Sequence, residues 1–86
     1  MKHVYVACFY PDEEERGYTV VIPDLPGAVT EGDTLEDAFK MAVDCVSGWL
    51  LDETDIPHPT PIDFVELDSD MGKGFKSYVF VDLLAL

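Results

Sequence analysis

The sequence predicts a small α+β domain in which one helix covers a small antiparallel sheet. Three observations support this: β-branched and aromatic runs lie on both sides of one amphipathic segment, prolines and glycines separate these runs, and no internal repeat occurs. The chain has 86 residues, enough for one domain near the lower size limit for an independent core. We therefore expect residues 1–86 to form a single domain with the order β-β-β-α-β.

The first two strands are predicted at His3–Tyr10 and Tyr18–Ile22. In the first run, both alternating sets of side chains are apolar, which favours a strand covered at least partly on each face. Pro11 and the acidic run that follows it end this strand in a solvated loop, because proline cannot donate to a ladder and the acids gain nothing from burial. Gly17 closes the turn, so the two strands should form an antiparallel hairpin.

A rigid turn is predicted at Pro23–Gly27, where two prolines fix φ and remove two backbone donors. Such a turn aims the side chain of Asp24, which stands directly after the first proline. Two interpretations are open: an Asx-type turn, in which the carboxylate accepts a nearby backbone N–H, or contact with a partner. A short third strand should follow at Ala28–Glu31.

One helix is predicted over about residues 35–52. Thr34 is a good N-cap, and apolar residues recur from Leu35 onward at the three- and four-residue spacing of an amphipathic helix. Gly48 lies inside this pattern, where it could permit close packing at a cost of about 1 kcal/mol in helix propensity.

Prolines and polar residues dominate the segment after the helix. Alternating prolines predict a stiff, extended Ile56–Pro61, followed by a short strand at Phe64–Leu67 and a polar loop at Asp68–Gly74. The last strand is predicted at Ser77–Leu84; beside a parallel neighbour, its crossover should be right-handed. The apolar end, residues 83–86, either packs in a homodimer or belongs to a longer protein.

Charge excludes several classes of function. The chain carries 5 Lys+Arg against 18 Asp+Glu, a net charge of −13, which repels phosphates and favours a basic protein partner over nucleic acid or an anionic membrane. No apolar run approaches the ~20 residues of a membrane span, and the start does not resemble a secretion signal, so we expect a cytoplasmic protein. In that compartment Cys8 and Cys45 are expected to be buried apolar side chains rather than a disulfide.

No motif points to catalysis, a cofactor or a metal. The run Asp68–Gly72 resembles the opening of a calcium loop, but Gly72 stands where that loop needs an oxygen ligand and no Glu occupies its twelfth position. His3 and His58 lack ligand spacing, and neither cysteine has the electropositive surroundings of a nucleophile. We expect no catalytic residue, no cofactor and no metal site.

Two segments carry a family resemblance. Gly17–Ala28, which contains the run PDLPG, and Thr30–Ala38, which begins TEGDT and opens the helix, resemble the HicB antitoxin family. Ile56–Pro59 resembles that family's segment after the helix, and Ser77–Asp82 its closing strand. Ala28 replaces the cysteine that commonly follows the PDLPG run.

The resemblance implies a partial RNase H-like domain that is not itself a nuclease. It implies an antitoxin that binds and neutralises a small basic mRNA interferase of the HicA type and assembles as a homodimer or tetramer. Many family members repress their own operon through a C-terminal DNA-binding module. This sequence ends directly after the last predicted strand, so we expect no direct binding of nucleic acid by these residues.

Two alternatives to an antitoxin are an orphan HicB-like binding domain without a toxin and a degenerate metal-dependent RNase H-like nuclease. The nuclease is disfavoured because the first strand contains no acid to help hold a metal. Charge and rigidity select the expected toxin-binding residues, which are Asp12, Glu13, Glu14, Glu15, Pro23, Asp24, Leu25, Pro26 and Gly27.

Overall fold

A four-stranded antiparallel sheet and one long helix form the computed structural model, which describes residues 2–83. The elements are β1 (Lys2–Pro11), β2 (Tyr18–Val21), β3 (Val29–Gly32), α1 (Leu35–Leu51) and β4 (Phe75–Asp82), with single 3-10 turns at Ile62–Phe64 and Ser69–Met71. The predicted fold class and the order β-β-β-α-β are confirmed.

The longest strand, β1, lies inside the sheet, whose order is β3-β2-β1-β4. It pairs antiparallel with β2 through Cys8↔Val21 and with β4 from Lys2↔Asp82 to Phe9↔Phe75. Because β4 has no parallel neighbour, the question of a right-handed crossover does not arise.

Both faces of β1 are covered, as its apolar pattern predicts. Tyr5, Ala7 and Phe9 point toward α1 and belong to the larger core cluster. Val6, Cys8 and Tyr10 point to the opposite face, called the outer face here, where Val65 is buried against them and Ile62 and Met71 pack at the edge of the cluster. Side chains that alternate along a strand thus enter two different cores.

The helix begins as its cap predicts. Thr34 Oγ1 accepts a hydrogen bond from the backbone N–H of Asp37 at 3.1 Å, and the buried stripe of the helix includes Ala38 and Val46. The close packing expected at Gly48 is wrong, since Gly48 is exposed and a Cβ there would meet nothing within 4 Å. The close approach occurs at Gly32, where a Cβ would lie 2.4 Å from the backbone nitrogen of Ala38.

The strand predicted at Phe64–Leu67 is wrong. The 3-10 turn Ile62–Phe64 occupies its start, and no regular structure follows it. The physical reason is that the segment crosses the outer face, where Val65 is buried against Val6, Cys8 and Tyr10, instead of pairing with an edge strand of the sheet. Lys76 Nζ donates to the carbonyl oxygens of Ile62 and Val65 at 2.9 Å each and so gives two carbonyl groups of this segment a hydrogen-bond partner.

The last strand starts two residues earlier than predicted, at Phe75. Its predicted end, Leu84, and the apolar residues 84–86 lie outside the described residues, as does Met1. The packing expected of the apolar end therefore stays a prediction.

Candidate functional site

Residues 12–15 lie in the loop between β1 and β2 and are all exposed; we call them the acidic loop. Asp12 Oδ1 accepts hydrogen bonds from the backbone N–H groups of Glu14 at 2.9 Å and Glu15 at 3.2 Å. These bonds favour the carboxylate form and lower the pKa of Asp12 below its ordinary value. One acid therefore orders the loop, while the other three present charge to solvent.

Acidic residues from other segments of the chain lie around the acidic loop. A cleft of about 480 Å³ lies between the loop and the 3-10 turn that carries Asp70, and none of its lining residues is basic. A second cleft, on the other side of the loop, is lined by Glu31, Asp33 and one cation, Arg16. We call this surface, formed by the acidic loop with Glu31, Asp33 and Asp70, the acidic end of the sheet.

Sequence reasoning missed these three additional acids. Glu31 and Asp33 join the acidic end because β3 returns beside β2, with Tyr18 opposite Gly32. The hairpin register could have indicated this, since a residue paired with the start of β2 must lie near the loop before it. Asp70 had no comparable signal, because its position depends on how the segment after the helix crosses the outer face.

The turn at residues 23–27 forms as predicted, but Asp24 has an unexpected partner. Asp24 Oδ2 accepts from the backbone N–H of Thr60 at 2.6 Å, and Asp24 Oδ1 accepts from the Thr60 hydroxyl at 2.7 Å. The interpretation as a local Asx-type turn is therefore wrong, because the bonds reach 36 residues along the chain. The proline-rich segment passes close to the turn, which no local sequence signal could indicate.

The same turn is held from the helix side as well. Trp49 Nε1 donates to the carbonyl oxygen of Pro26 at 3.0 Å. Leu25 is only 1% exposed and belongs to the core, whereas Pro23, Pro26 and Gly27 are exposed. Any contact that a partner makes with the Leu25 side chain would require the core to open.

The structure does not bring the two halves of the expected toxin-binding set together. The acidic loop precedes β2 and the 23–27 turn follows it, so they lie at opposite ends of a four-residue strand. At about 3.4 Å per residue, that strand separates them by roughly 14 Å. A partner contacting both would have to span the length of β2.

The thiols lie in surroundings that suppress their reactivity. Cys8 is fully buried and Cys45 partly so, and burial raises the pKa of both above the ordinary value. A thiol with a raised pKa stays protonated at neutral pH and is a poor nucleophile. Both cysteines are free, and neither is placed for covalent chemistry.

The run that resembles the opening of a calcium loop is a backbone turn. Asp68 Oδ1 accepts from the backbone N–H of Asp70 at 2.9 Å and caps the 3-10 turn, and Gly72 ends it with φ of +81°. Within residues 2–83, no group of three or more His, Cys, Asp or Glu side chains could hold a metal ion. Over the same range, no helix is long and apolar enough to cross a membrane.

Comparison with known proteins identifies several that are similar to this chain in sequence. An antitoxin HicB of Photorhabdus laumondii is 42% identical over 60 residues, which are 63% of this chain and 39% of that protein. An uncharacterised 14.9 kDa protein of Haemophilus phage HP1 is 39% identical across 96% of this chain and 76% of its own length. The chain thus spans well under half of the Photorhabdus antitoxin and about three quarters of the phage protein.

Solved structures share the fold. A chain from a toxin–antitoxin complex of Streptococcus pneumoniae superposes with a TM-score of 0.81 over 99% of this chain and 72% of its own, at 24% identity. The N-terminal domain of the Burkholderia pseudomallei antitoxin HicB gives a TM-score of 0.74 over 94% of this chain and all of that domain, at 21% identity. At these identities the likeness establishes the fold alone.

A family model provides the assignment. The model for HicB-like antitoxins of bacterial toxin–antitoxin systems matches residues 5–86, nearly the whole chain. This match includes the hairpin, the 23–27 turn, the capped helix and β4, the elements that define the fold described above. The chain therefore belongs to the HicB-like antitoxin family.

Proposed function

We propose that this chain neutralises a small basic mRNA interferase of the HicA type by binding it through the acidic end of the sheet. The observation that carries the proposal is the concentration of seven carboxylates around one exposed loop, with Arg16 as the one cation lining the two clefts. A net charge of −13 adds long-range attraction for a basic partner and speeds the encounter. The relative from Streptococcus pneumoniae is described as part of a toxin–antitoxin complex, which supports a toxin partner.

In this proposal the chain acts by binding and not by catalysis. Its central strand β1 contains no carboxylate, and the buried thiols are held in their protonated form. Direct contact with RNA or DNA by residues 2–83 is disfavoured by the same charge that attracts the toxin. We further propose that the protein works in the cytoplasm, where a toxin that cleaves mRNA would act, and that it self-associates.

Growth rescue tests the neutralisation directly. Co-expression of the chain with a HicA-type toxin encoded beside it should restore growth, and the purified chain should inhibit cleavage of RNA by that toxin. A double charge reversal, Glu13→Lys with Glu14→Lys, should lose at least about tenfold in inhibition, since exposed acids at an interface govern encounter and specificity.

A matched control separates the acidic end from net charge. Glu53→Lys with Asp55→Lys also changes the net charge from −13 to −9, but these exposed residues follow the C-terminus of α1. We expect this control to retain nearly full inhibition. Equal loss in both variants would mean that net charge alone drives binding, and full inhibition by the first variant would exclude the acidic end as the contact surface.

Incubation with RNA tests the nuclease alternative. The purified chain should leave RNA intact with Mg²⁺ or Mn²⁺. Metal-dependent cleavage that disappears on replacing one of its acids would overturn the binding interpretation. Absence of any basic toxin that binds the chain would instead favour the orphan domain.

A further inference from the structure

Two large aromatic side chains lie exposed on the outer face of β4. Phe80 is 72% exposed and Tyr78 is 45% exposed. Both point away from α1, because Val79 and Val81, which alternate with them, are buried in the core on the α1 side. The two rings contact each other with centroids 6.1 Å apart. The helix covers the opposite face of the sheet and therefore does not bury this pair.

A third exposed aromatic residue comes from the segment that crosses the outer face, residues 62–71, which we call the crossing segment. Phe64 is 76% exposed and lies between the two residues whose carbonyl oxygens accept from Lys76 Nζ at 2.9 Å. Lys76 precedes Tyr78 by two residues on the same face of β4, about 7 Å along the strand. Phe64 therefore lies on the same part of the outer face as the aromatic pair. We call Phe64, Tyr78 and Phe80 the aromatic patch.

The crossing segment leads from the aromatic patch to the acidic end of the sheet. It contains no basic residue, and its four acids are all exposed, namely Asp63, Glu66, Asp68 and Asp70. Its later part is held at β1, where the Tyr10 hydroxyl accepts from the backbone N–H of Asp68 at 2.9 Å. Asp70, two residues further on, already lines the cleft beside the acidic loop. Negative charge therefore continues from the acidic end across the outer face to the aromatic patch.

We propose that the toxin contact extends along the crossing segment and that the aromatic patch is its apolar anchor. The inference rests on the proposed function and assigns a second contact surface to the same partner. Protein interfaces commonly bury a few aromatic side chains inside a polar, solvated rim. Here the rim is acidic, which complements a basic protein and repels a second copy of a chain whose net charge is −13.

The two parts of this surface fit within one interface. Phe80 pairs with Val4, and Tyr10, which lines the acidic cleft, follows six residues later on β1. At about 3.4 Å per residue, the far side of the patch is roughly 20 Å from the acidic end. A compact interface that buries about 800 Å² on each partner is roughly 30 Å across. A small protein can therefore contact both parts at once.

The two parts should govern different rate constants. Charges of the acidic end act at long range and speed the encounter, so they should set the association rate constant and its salt dependence. The aromatic patch is buried only in the bound complex, so it should set the dissociation rate constant, which depends little on salt. This separation distinguishes an apolar anchor from one more charged contact.

Binding kinetics at low and high salt test the separation, with a HicA-type toxin encoded beside the chain immobilised on a biosensor. Phe64→Ala with Phe80→Ala should raise the dissociation rate constant about tenfold or more and change the association rate constant by less than about twofold. Glu13→Lys with Glu14→Lys should instead mainly lower the association rate constant and its salt dependence.

A matched control removes exposed apolar side chains elsewhere. Met41→Ala with Leu51→Ala truncates two residues of α1 that are 41% and 63% exposed, on the other side of the sheet. Both rate constants should stay at the parent values. Urea unfolding midpoints close to that of the parent chain check that the variants in the patch and on the helix are folded.

Photocrosslinking identifies what covers the patch. A benzoylphenylalanine in place of Phe80 should crosslink to the toxin when the complex is irradiated, and the same group in place of Leu51 should not. Crosslinks from position 80 to a second copy alone would overturn the proposal, because they would assign the patch to self-association.

Two kinetic results would also overturn it. They are a dissociation rate constant that is the same for the parent chain and for Phe64→Ala with Phe80→Ala, and an equal increase in the control with Met41→Ala and Leu51→Ala. The first of these, with toxin still bound, would refute the inference and leave the proposed function standing. A parent chain that binds no basic toxin would refute both.

Discussion

The paired hydrogen bonds between Asp24 and Thr60 allow a quantitative test of how the 23–27 turn is held. Asp24→Ala removes the acceptor of both bonds and leaves the Thr60 N–H and hydroxyl without that partner. A hydrogen bond to a charged group contributes about 1.5–3 kcal/mol, and water can replace part of it at a half-buried site. We therefore expect the free energy of unfolding to fall by about 2–3 kcal/mol, a large fraction of the stability of a small domain.

Urea unfolding of four variants separates the two bonds. Thr60→Val keeps the backbone N–H and removes only the hydroxyl, so it should cost about 1 kcal/mol. In the Asp24→Ala background the hydroxyl has already lost its acceptor, and the same change should cost nearly nothing. The coupling free energy from the double-mutant cycle should therefore be about 1 kcal/mol.

Asp55→Ala is the control, because it removes one negative charge from an exposed position and relieves the same general repulsion. It should change stability by less than about 0.5 kcal/mol. If Asp24→Ala cost no more than Asp55→Ala, or if the coupling were zero, Asp24 would not hold the proline-rich segment. A structural role for Asp24 also means that Asp24→Lys is a poor probe of toxin contact, since it would disturb the turn itself.

Three further predictions concern stability and pH. Lys76→Met should cost about 1–2 kcal/mol in urea unfolding, because two carbonyl oxygens lose a charged donor, whereas Lys40→Met, at an exposed ion pair, should cost less than about 0.5 kcal/mol. Gly32→Ala should cost about 3 kcal/mol or more, since its Cβ would meet backbone at 2.4 Å, whereas Gly48→Ala should stabilise the helix by about 0.5–1 kcal/mol; equal effects would refute the close approach. Burial raises the pKa of Cys8 and Tyr10 above their ordinary values of 9.0 and 10.0, so the unfolded chain loses these protons first. The contribution of these two groups to stability should therefore be constant from neutral pH to well below pH 9.0 and be lost as pH rises further, and a urea midpoint that is flat or rises in that alkaline range would contradict the assignment.

Local sequence signals predict most of the fold, and the failures come from contacts between segments that are distant in sequence. Three features depend only on residues close to them in sequence and so can be predicted from it. They are the alternating run of β1, the Thr34 cap and the two prolines of the turn. The strand predicted at Phe64–Leu67 failed because this segment buries Val65 across the outer face instead of pairing with an edge strand, and that path is not encoded by its local sequence. The sequence pattern allows close packing at Gly48, whereas the close approach lies at Gly32, because the spacing of residues along a helix does not say where a strand meets it.

The candidate site shows the same division. The acidic loop was evident because its charge is contiguous in sequence, whereas Asp70 joins it only through the path of the segment across the outer face. Asp24 was correctly singled out as a residue held by a rigid turn, but its partner, Thr60, could not be inferred without the path of the proline-rich segment. Whether the 23–27 turn also contacts a toxin stays a prediction.

The most direct test of the central claim is the salt dependence of toxin binding, measured by calorimetry on the parent chain, on Glu13→Lys with Glu14→Lys, and on Glu53→Lys with Asp55→Lys. For the parent chain and for the variant with Glu53→Lys and Asp55→Lys, the dissociation constant for a HicA-type toxin should rise steeply with salt, because screening weakens attraction between oppositely charged surfaces. For the variant with Glu13→Lys and Glu14→Lys, the dissociation constant should be about tenfold higher or more at low salt and should rise less steeply with salt. Identical curves for all three proteins would contradict binding through the acidic end of the sheet.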